Sequence, residues 1–370
     1  MSKALFNLKL LVVLVGLLFA VGIAFIGAKT HFGQKIQSKV YCMYVTTFKK
    51  DLLQTKNRLK QDVLIQVPSG ATPLHVVEIL KSNGVIADKD KDALLCFLLK
   101  NAKDLKAGYF IIEPESTYNT ILESLNNPIP HTVQVTIYEG LRHDQIASIL
   151  DNALKHKFSR FSKQEFNKLV KNPKRDMLQK FKFLPQNKPL EGFLFPDTYE
   201  FNRFTTTATD VLERMLGTFQ TKAWPILQQN SYRYAQLGLK LTPYQKLIIA
   251  SIVERETSED PTERAMVADI ILKRLSINMP LQTDATLLYP KKDWAYTLTY
   301  QDIHSDNAYN TYTRYGLPPT PICNPGLSAI QAVSNPRPNP YYYYLHDKQG
   351  NIHYAKTYYD HLANVRKYIQ

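Results

Sequence analysis

Leu10 to Ala28 is a run of 19 residues without a charge, LLVVLVGLLFAVGIAFIGA. A helix rises about 1.5 Å per residue, so the run nearly matches a hydrocarbon core about 30 Å thick. In water such a helix would have no polar face to show. The run is longer than the apolar part of a signal peptide, and Gly27-Ala28-Lys29 is a poor match to an A-x-A cleavage site. The reading is therefore an uncleaved, single-pass anchor. Lys3 and Lys9 precede the run, and Lys29, Lys35 and Lys39 follow it, so the positive-inside count does not choose an orientation.

The chain has 370 residues, 44% apolar and 21% charged, which is enough for a sizeable core and more than one domain. Its net charge of +14 draws polyanions or anionic lipid. Without a Lys/Arg tract or zinc-finger spacing, a nucleic-acid partner is not expected. Cys42, Cys96 and Cys323 are few and far apart, with no CxxC, so a structural metal site is not expected and at most one intramolecular disulfide can form. The nine histidines include no H-E-x-x-H. No cofactor is expected.

Residues 31–61 read as a stalk or the start of the body, with β-branched and aromatic character at Tyr41 to Phe48. Val63 to Val67 reads as a strand. Helical spacing follows through Leu74, Val77 and Leu80 and stops at Gly84. A second helix, near Asp90 to Lys100, leads to an extended stretch at Tyr109 to Glu113. The grammar partly repeats: Thr132 to Tyr138 alternates as a strand, Glu139-Gly140 turns, and Asp144 to Ala153 is helical. Phe193 to Phe201 holds four aromatics and a Pro, and reads equally as a loop lining a cleft or as an aromatic core loop.

Thr242-Pro243 opens a helix whose residues Leu247, Ile248, Ile249, Ala250, Ile252 and Val253 surround the axis. A helix apolar all round is buried. Glu254 and Glu256 sit at its C-terminal end, where burial and the helix dipole both favour the protonated acid. A proton-holding Glu beside a groove suits general-acid cleavage of a glycosidic bond. Pairing of Glu254 with a core Arg is the plainer outcome, and the helical wheel does not choose between the two acids. Asp260-Pro261-Thr262-Glu263 restarts a helix with the pattern of a capping box. Arg264 and Arg274 stand where they can hold a carboxylate or a sugar. Asp284, in the polar loop Leu281 to Thr286, either presents its side chain to a ligand or caps the next turn.

Five segments resemble the MltG/YceG-like endolytic murein transglycosylases. They are LEGFLFPDTYEF at Leu190 to Phe201, IIASIVERET at Ile248 to Thr257, and ERAMVADIILKRLSINMPLQTDATLLY at Glu263 to Tyr289. YNTYTRYGLPPTPICNPGLSAIQAVSNP follows at Tyr309 to Pro336, and YYYYLHDKQGNIHYAKTYYDH at Tyr341 to His361. Order and spacing both fit. The departures are Ala285 and Ala308, where the family often has Pro, and Cys323 at a position usually small and apolar. None removes a charged or hydrogen-bonding group.

The resemblance implies an α+β protein with four regions. These are a cytoplasmic tip and transmembrane anchor at 1–30, the stalk at 31–61, a LysM-like small α/β module at 62–155, and a mixed α/β catalytic domain at 156–370. It implies a bacterial inner-membrane location with the body in the periplasm. It also implies peptidoglycan glycan strands as substrate, and inner-membrane lipid and cell-wall synthases or divisome or elongasome proteins as partners. The catalytic acid falls on Glu254. Glu191, Arg264, Gln282, Thr283, Asp284, Tyr309, Asn310, Thr311, Tyr312 and Asn324 are expected to bind substrate, with Glu191 also a candidate second acid. The implied product is a 1,6-anhydro-MurNAc end. The alternatives are a non-catalytic murein-binding scaffold and a murein hydrolase that uses water.

Overall fold

A computed structural model describes residues 31–100 and 105–369. The chain divides into two compact units, Met1–His131 and Thr132–Gln370.

In the first unit, α1 (His31–Phe48) takes up the stretch whose composition was compatible with a strand. β1 (Val63–Val67) is followed by α2 (Pro73–Ser82), α3 (Lys91–Lys100), β2 (Gly108–Ile112) and α4 (Tyr118–Ser124). Thr72 caps α2, its hydroxyl accepting from the His75 N–H at 3.3 Å, and Gly84 ends the segment at φ +68°. β1 and β2 pair antiparallel with Ile65 opposite Phe110. Their inner face packs on Val76, Val77, Leu80, Leu94, Leu98 and Ile121. Leu74, expected on that face, is half exposed in the first helical turn, and Val76 fills the place instead. A Cys42–Cys96 disulfide ties α1 to α3.

The second unit contains β3 (Thr132–Thr136), α5 (His143–Ala153), α6 (Lys163–Lys171), α7 (Arg175–Lys180), β4 (Thr198–Asn202) and α8 (Ala208–Lys222). Two short helices, α9 (Trp224–Leu227) and α10 (Tyr232–Gln236), lead to α11 (Pro243–Glu256) and α12 (Pro261–Ser276). The chain continues through α13 (Asp284–Lys291), α14 (Tyr300–Ile303), α15 (Leu327–Ser334), β5 (Tyr343–His346), β6 (Ile352–Ala355) and α16 (Tyr358–Tyr368).

Helix α11 is the axis of this unit. Every residue from Lys246 to Glu254 is buried, and α12 and α15 pack against it. Each fully buried Leu or Ile contributes about 1.5–3 kcal/mol, so the run holds α11 firmly in place. Thr242 and Gln245 form a capping box at its start. The buried Lys246 reaches back to the carbonyls of Leu227 (3.0 Å) and Gln229 (2.5 Å), satisfying the C-terminal end of α9. Phe193, Phe195 and Phe201 lie in the core, so the aromatic segment is core rather than cleft lining.

Three expectations are corrected here. First, the α+β class gives way to a mostly helical fold. Among the described residues the strands form three separate two-stranded antiparallel sheets of four- and five-residue strands, and none closes. Second, the repeated strand–helix pattern does not assemble into a LysM-like module. β3 pairs not with the strands of the first repeat but with β4, Thr136 opposite Thr198, a separation of 62 residues. Local periodicity specifies a strand but not its partner. Third, among the described residues no helix is long and apolar enough to cross a membrane. The run Leu10–Ala28, on which the transmembrane helix and the inner-membrane location rested, lies outside the described residues, and that location is not carried forward.

Candidate active site

The two acids at the end of α11 are two residues apart and so point in different directions. Glu254 turns toward α12. Its carboxylate accepts from Arg264 Nη2 at 2.8 Å and Nη1 at 3.4 Å, and from the Gly326 N–H at 2.9 Å. Only 5% of the Glu254 side chain and 3% of the Arg264 side chain are exposed. Arg264 is held in turn by the Ser258 carbonyl, 3.0 Å from Nε. Burial is the largest influence on Glu254 and pushes its pKa upward; Arg264 and the Gly326 N–H oppose it, and Glu139 adds to it, with a net rise. The plain reading, pairing with a core Arg, is what the structure shows at Glu254, and burial shifts the same carboxyl toward protonation.

Glu256 turns toward β5 and α13. Its carboxylate accepts from Tyr344 Oη at 2.9 Å and from the Ala285 N–H at 3.4 Å. Burial raises its pKa too, with Asp284 adding to the rise. Asp284 is exposed in the first turn of α13, where Thr283 occupies the N-cap position, and accepts a short hydrogen bond from Tyr312 Oη. Arg274 Nε donates to the Tyr342 carbonyl at 2.8 Å, and its guanidinium lies over the Tyr343 ring.

Glu191 is fully enclosed. It accepts from the His143 N–H at 3.0 and 3.3 Å, lies 2.5 Å from His143 Nδ1, and receives Tyr289 Oη at 3.1 Å and Asn324 Nδ2 at 2.8 Å. Asn324 is equally enclosed. Its Oδ1 accepts from the Gly192 and Leu194 N–H groups, both at 2.9 Å, and its Nδ2 also donates to the Leu141 carbonyl. One buried carboxylate and one buried amide thus join the start of α5, the 190–194 turn, α13 and the segment leading to Gly326. Gly192, at φ +88°, permits this turn; a Cβ there would lie 2.6 Å from Pro321.

The remaining expected residues gather around the 281–286 turn. Thr283, Thr286 and Thr311 form a buried hydroxyl cluster with separations of 3.0 and 3.2 Å. Gln282 is exposed at φ +50° and donates its N–H to the Thr311 carbonyl. Asn310 is enclosed and donates to the Ile303 and Ser305 carbonyls at 2.9 and 2.8 Å. Tyr309 is half-buried, hydrogen-bonds Thr320 at 2.7 Å and packs on the Tyr289 ring. Of the expected set, Gln282, Asp284 and Tyr312 present accessible surface, whereas Glu191, Thr283, Asn310, Thr311 and Asn324 are engaged inside.

Two neighbours of Glu254, Glu139 and Gly326, were not expected from the sequence. Glu139 lies 3.7 Å from Arg264 Nη1. Gly326 supplies the N–H described above. Arg255 stacks over the Trp294 ring at 4.2 Å, and Arg142 lies 5.1 Å from the same ring. Glu139 read only as a turn residue, and nothing in the spacing of Glu139 or Gly326 links them to residue 254. Glu263 was expected to close a capping box; instead its carboxylate accepts from the Ser258 N–H and hydroxyl, both at 2.8 Å. Among the described residues no group of three His, Cys, Asp or Glu side chains is arranged to hold a metal ion.

The model of the YceG-like family matches residues 65–367. An endolytic murein transglycosylase of Bacillus subtilis (strain 168) is 31% identical over 317 residues, 84% of this chain and 86% of that protein. An endolytic murein transglycosylase of Streptococcus pneumoniae serotype 2 is 26% identical over 345 residues, covering 86% of this chain but 60% of that protein. The crystal structure of a YceG-like protein from Listeria monocytogenes superposes with a TM-score of 0.55 at 26% identity, over 82% of this chain and 99% of that one. The chain belongs to the YceG-like family, with the endolytic murein transglycosylases among its relatives.

Proposed function

We propose that the chain cuts peptidoglycan glycan strands internally at the MurNAc–GlcNAc β-1,4 bond, as a lytic transglycosylase, with Glu254 as proton donor. The observation that carries this is a carboxyl held at the end of a buried helix, its pKa raised by burial, with one guanidinium and one backbone N–H as fixed partners. Family membership supplies the substrate class.

The steps balance without water. The Glu254 proton passes to the bridging oxygen as the C1–O bond breaks, leaving a free 4-hydroxyl on the departing GlcNAc. The 6-hydroxyl of the same MurNAc forms a new bond to C1, and its proton returns to the Glu254 carboxylate. The nucleophile belongs to the substrate, so proximity is built in, and the second carboxylate that ordinary glycosidases use is not required. Arg264 and the Gly326 N–H stabilise the carboxylate formed between the two proton transfers. Gln282, Asp284 and Tyr312 offer surface for contacts along the strand. Thr283, Tyr309, Asn310 and Thr311 shape the loops that carry them, and Glu191 and Asn324 brace the segment leading to Gly326.

Mass spectrometry of sacculi digested with the purified chain tests the reading. Anhydro-MurNAc ends are expected. New reducing ends would instead make the enzyme a hydrolase, and no new ends at all would leave only a murein-binding scaffold.

A further inference from the structure

The turn after β3 carries a carboxylate that these steps do not use. Glu139 lies 3.7 Å from Arg264 Nη1, and 46% of its side chain is exposed. The same guanidinium holds Glu254 through both terminal nitrogens, while its Nε is committed to the Ser258 carbonyl. Fixed in this way, Arg264 cannot follow either acid, and the two carboxylates share it.

Two glycines make room for this approach. A Cβ at Gly326 would lie 1.9 Å from Glu139 Cδ, so the Glu139 carboxyl occupies the space a side chain would need, directly beside the N–H that serves Glu254. Gly140, at φ +74°, brings its backbone against the Glu254 stem; a Cβ there would lie 3.6 Å from Glu254 Cγ and 3.3 Å from Arg255 Nη1.

We infer that Glu139 is a positioning residue of the reaction, a second carboxylate that competes for Arg264 and thereby keeps Glu254 able to carry a proton. The inference rests on Glu254 being the proton donor. Among the described residues, the groups that face Glu254 include Arg264 from α12, Glu139 from the turn, Arg255 on α11 and the buried Cys323 thiol before α15. Glu139 is a negative charge among these, and it acts on Glu254 in the direction of protonation.

The test is the rate of glycan cleavage against pH for the full chain, Glu139→Gln and Glu139→Asp. A general acid works while protonated, so the rate falls as pH rises through the Glu254 pKa. Without the Glu139 charge, Arg264 serves Glu254 alone. The falling limb should then move to lower pH by about half a unit, a roughly threefold loss of rate on the alkaline side, with acid-side rate retained. Glu139→Asp should restore part of the limb. An unshifted limb, or a uniform drop at every pH, would overturn the inference. Failure of the underlying reading looks different: Glu254→Gln would keep cleaving. The Glu254 carboxyl titration, followed by carbon-13 NMR in the wild-type chain and in Glu139→Gln, decides the inference independently of activity. A downward shift supports it, and identical titrations overturn it.

Discussion

Replacing Glu191 with Ala should destabilise the second unit by about 3–5 kcal/mol, the range for losing one partner of a buried charged network. The figure follows from what the carboxylate holds. It is fully enclosed and accepts from the His143 N–H, Tyr289 Oη and Asn324 Nδ2, with His143 Nδ1 also in contact. An unsatisfied buried donor costs about 1–3 kcal/mol. His143 is slightly exposed and can recruit water, and Asn324 Nδ2 keeps the Leu141 carbonyl, so the costs do not simply add. Urea unfolding followed by tryptophan fluorescence reads this unit alone, because both tryptophans, Trp224 and Trp294, lie within it. The midpoint should fall by about 1–2 M urea. Glu191→Gln, which keeps one acceptor oxygen but turns an NH2 toward a donor, should fall between Ala and wild type. A loss below about 0.5 kcal/mol in the Ala variant, as for an ordinary surface change, would refute the bracing role and return Glu191 to substrate contact.

Other outcomes follow from the same structure. Asp269 is fully enclosed between Arg233 (2.6 Å) and Lys273 (3.4 Å), so Asp269→Ala should cost about 3 kcal/mol or more in the same unfolding assay. Burial holds the Glu256 carboxyl above its ordinary pKa. The folded state thus binds this proton more tightly than the unfolded one, and the contribution present at acid pH is lost as pH rises through the folded pKa. Glu256→Gln should accordingly show a smaller fall in stability than wild type between acid and neutral pH, measured by urea midpoints. The Cys323 thiol is buried with its pKa raised well above the ordinary value. A thiol reagent at neutral pH should therefore label it only once the chain unfolds; prompt labelling of the folded chain would contradict its placement.

Much of the local structure was legible from the residues. Thr242 and Asp260 cap helices as their side chains dictate. The apolar run Leu247 to Val253, interrupted only by Ser251, marked a deeply buried helix of the second unit. Pairing was not legible. The alternation at Thr132–Thr136 predicts a strand, yet its partner lies beyond α7, a choice made by packing of the whole unit rather than by local pattern. The site was half legible. Burial of the two acids follows from the helix, but their different surroundings depend on Arg264, Gly326 and Tyr344, which are distant in sequence or look like ordinary helix, turn and strand residues. Asn310 and Asn324 read as polar loop residues open to a ligand. Instead they bind backbone groups inside the fold, because tight turns with enclosed carbonyls and N–H groups need such side chains for satisfaction.

The most direct measurement compares Glu254→Gln with Glu256→Gln on intact sacculi, scoring released anhydro-muropeptides by mass spectrometry and glycan binding by pelleting. The account predicts that Glu254→Gln still pellets with sacculi but releases no anhydro product, while Glu256→Gln continues to release it. Full release by Glu254→Gln would contradict the claim that this buried carboxyl delivers the proton.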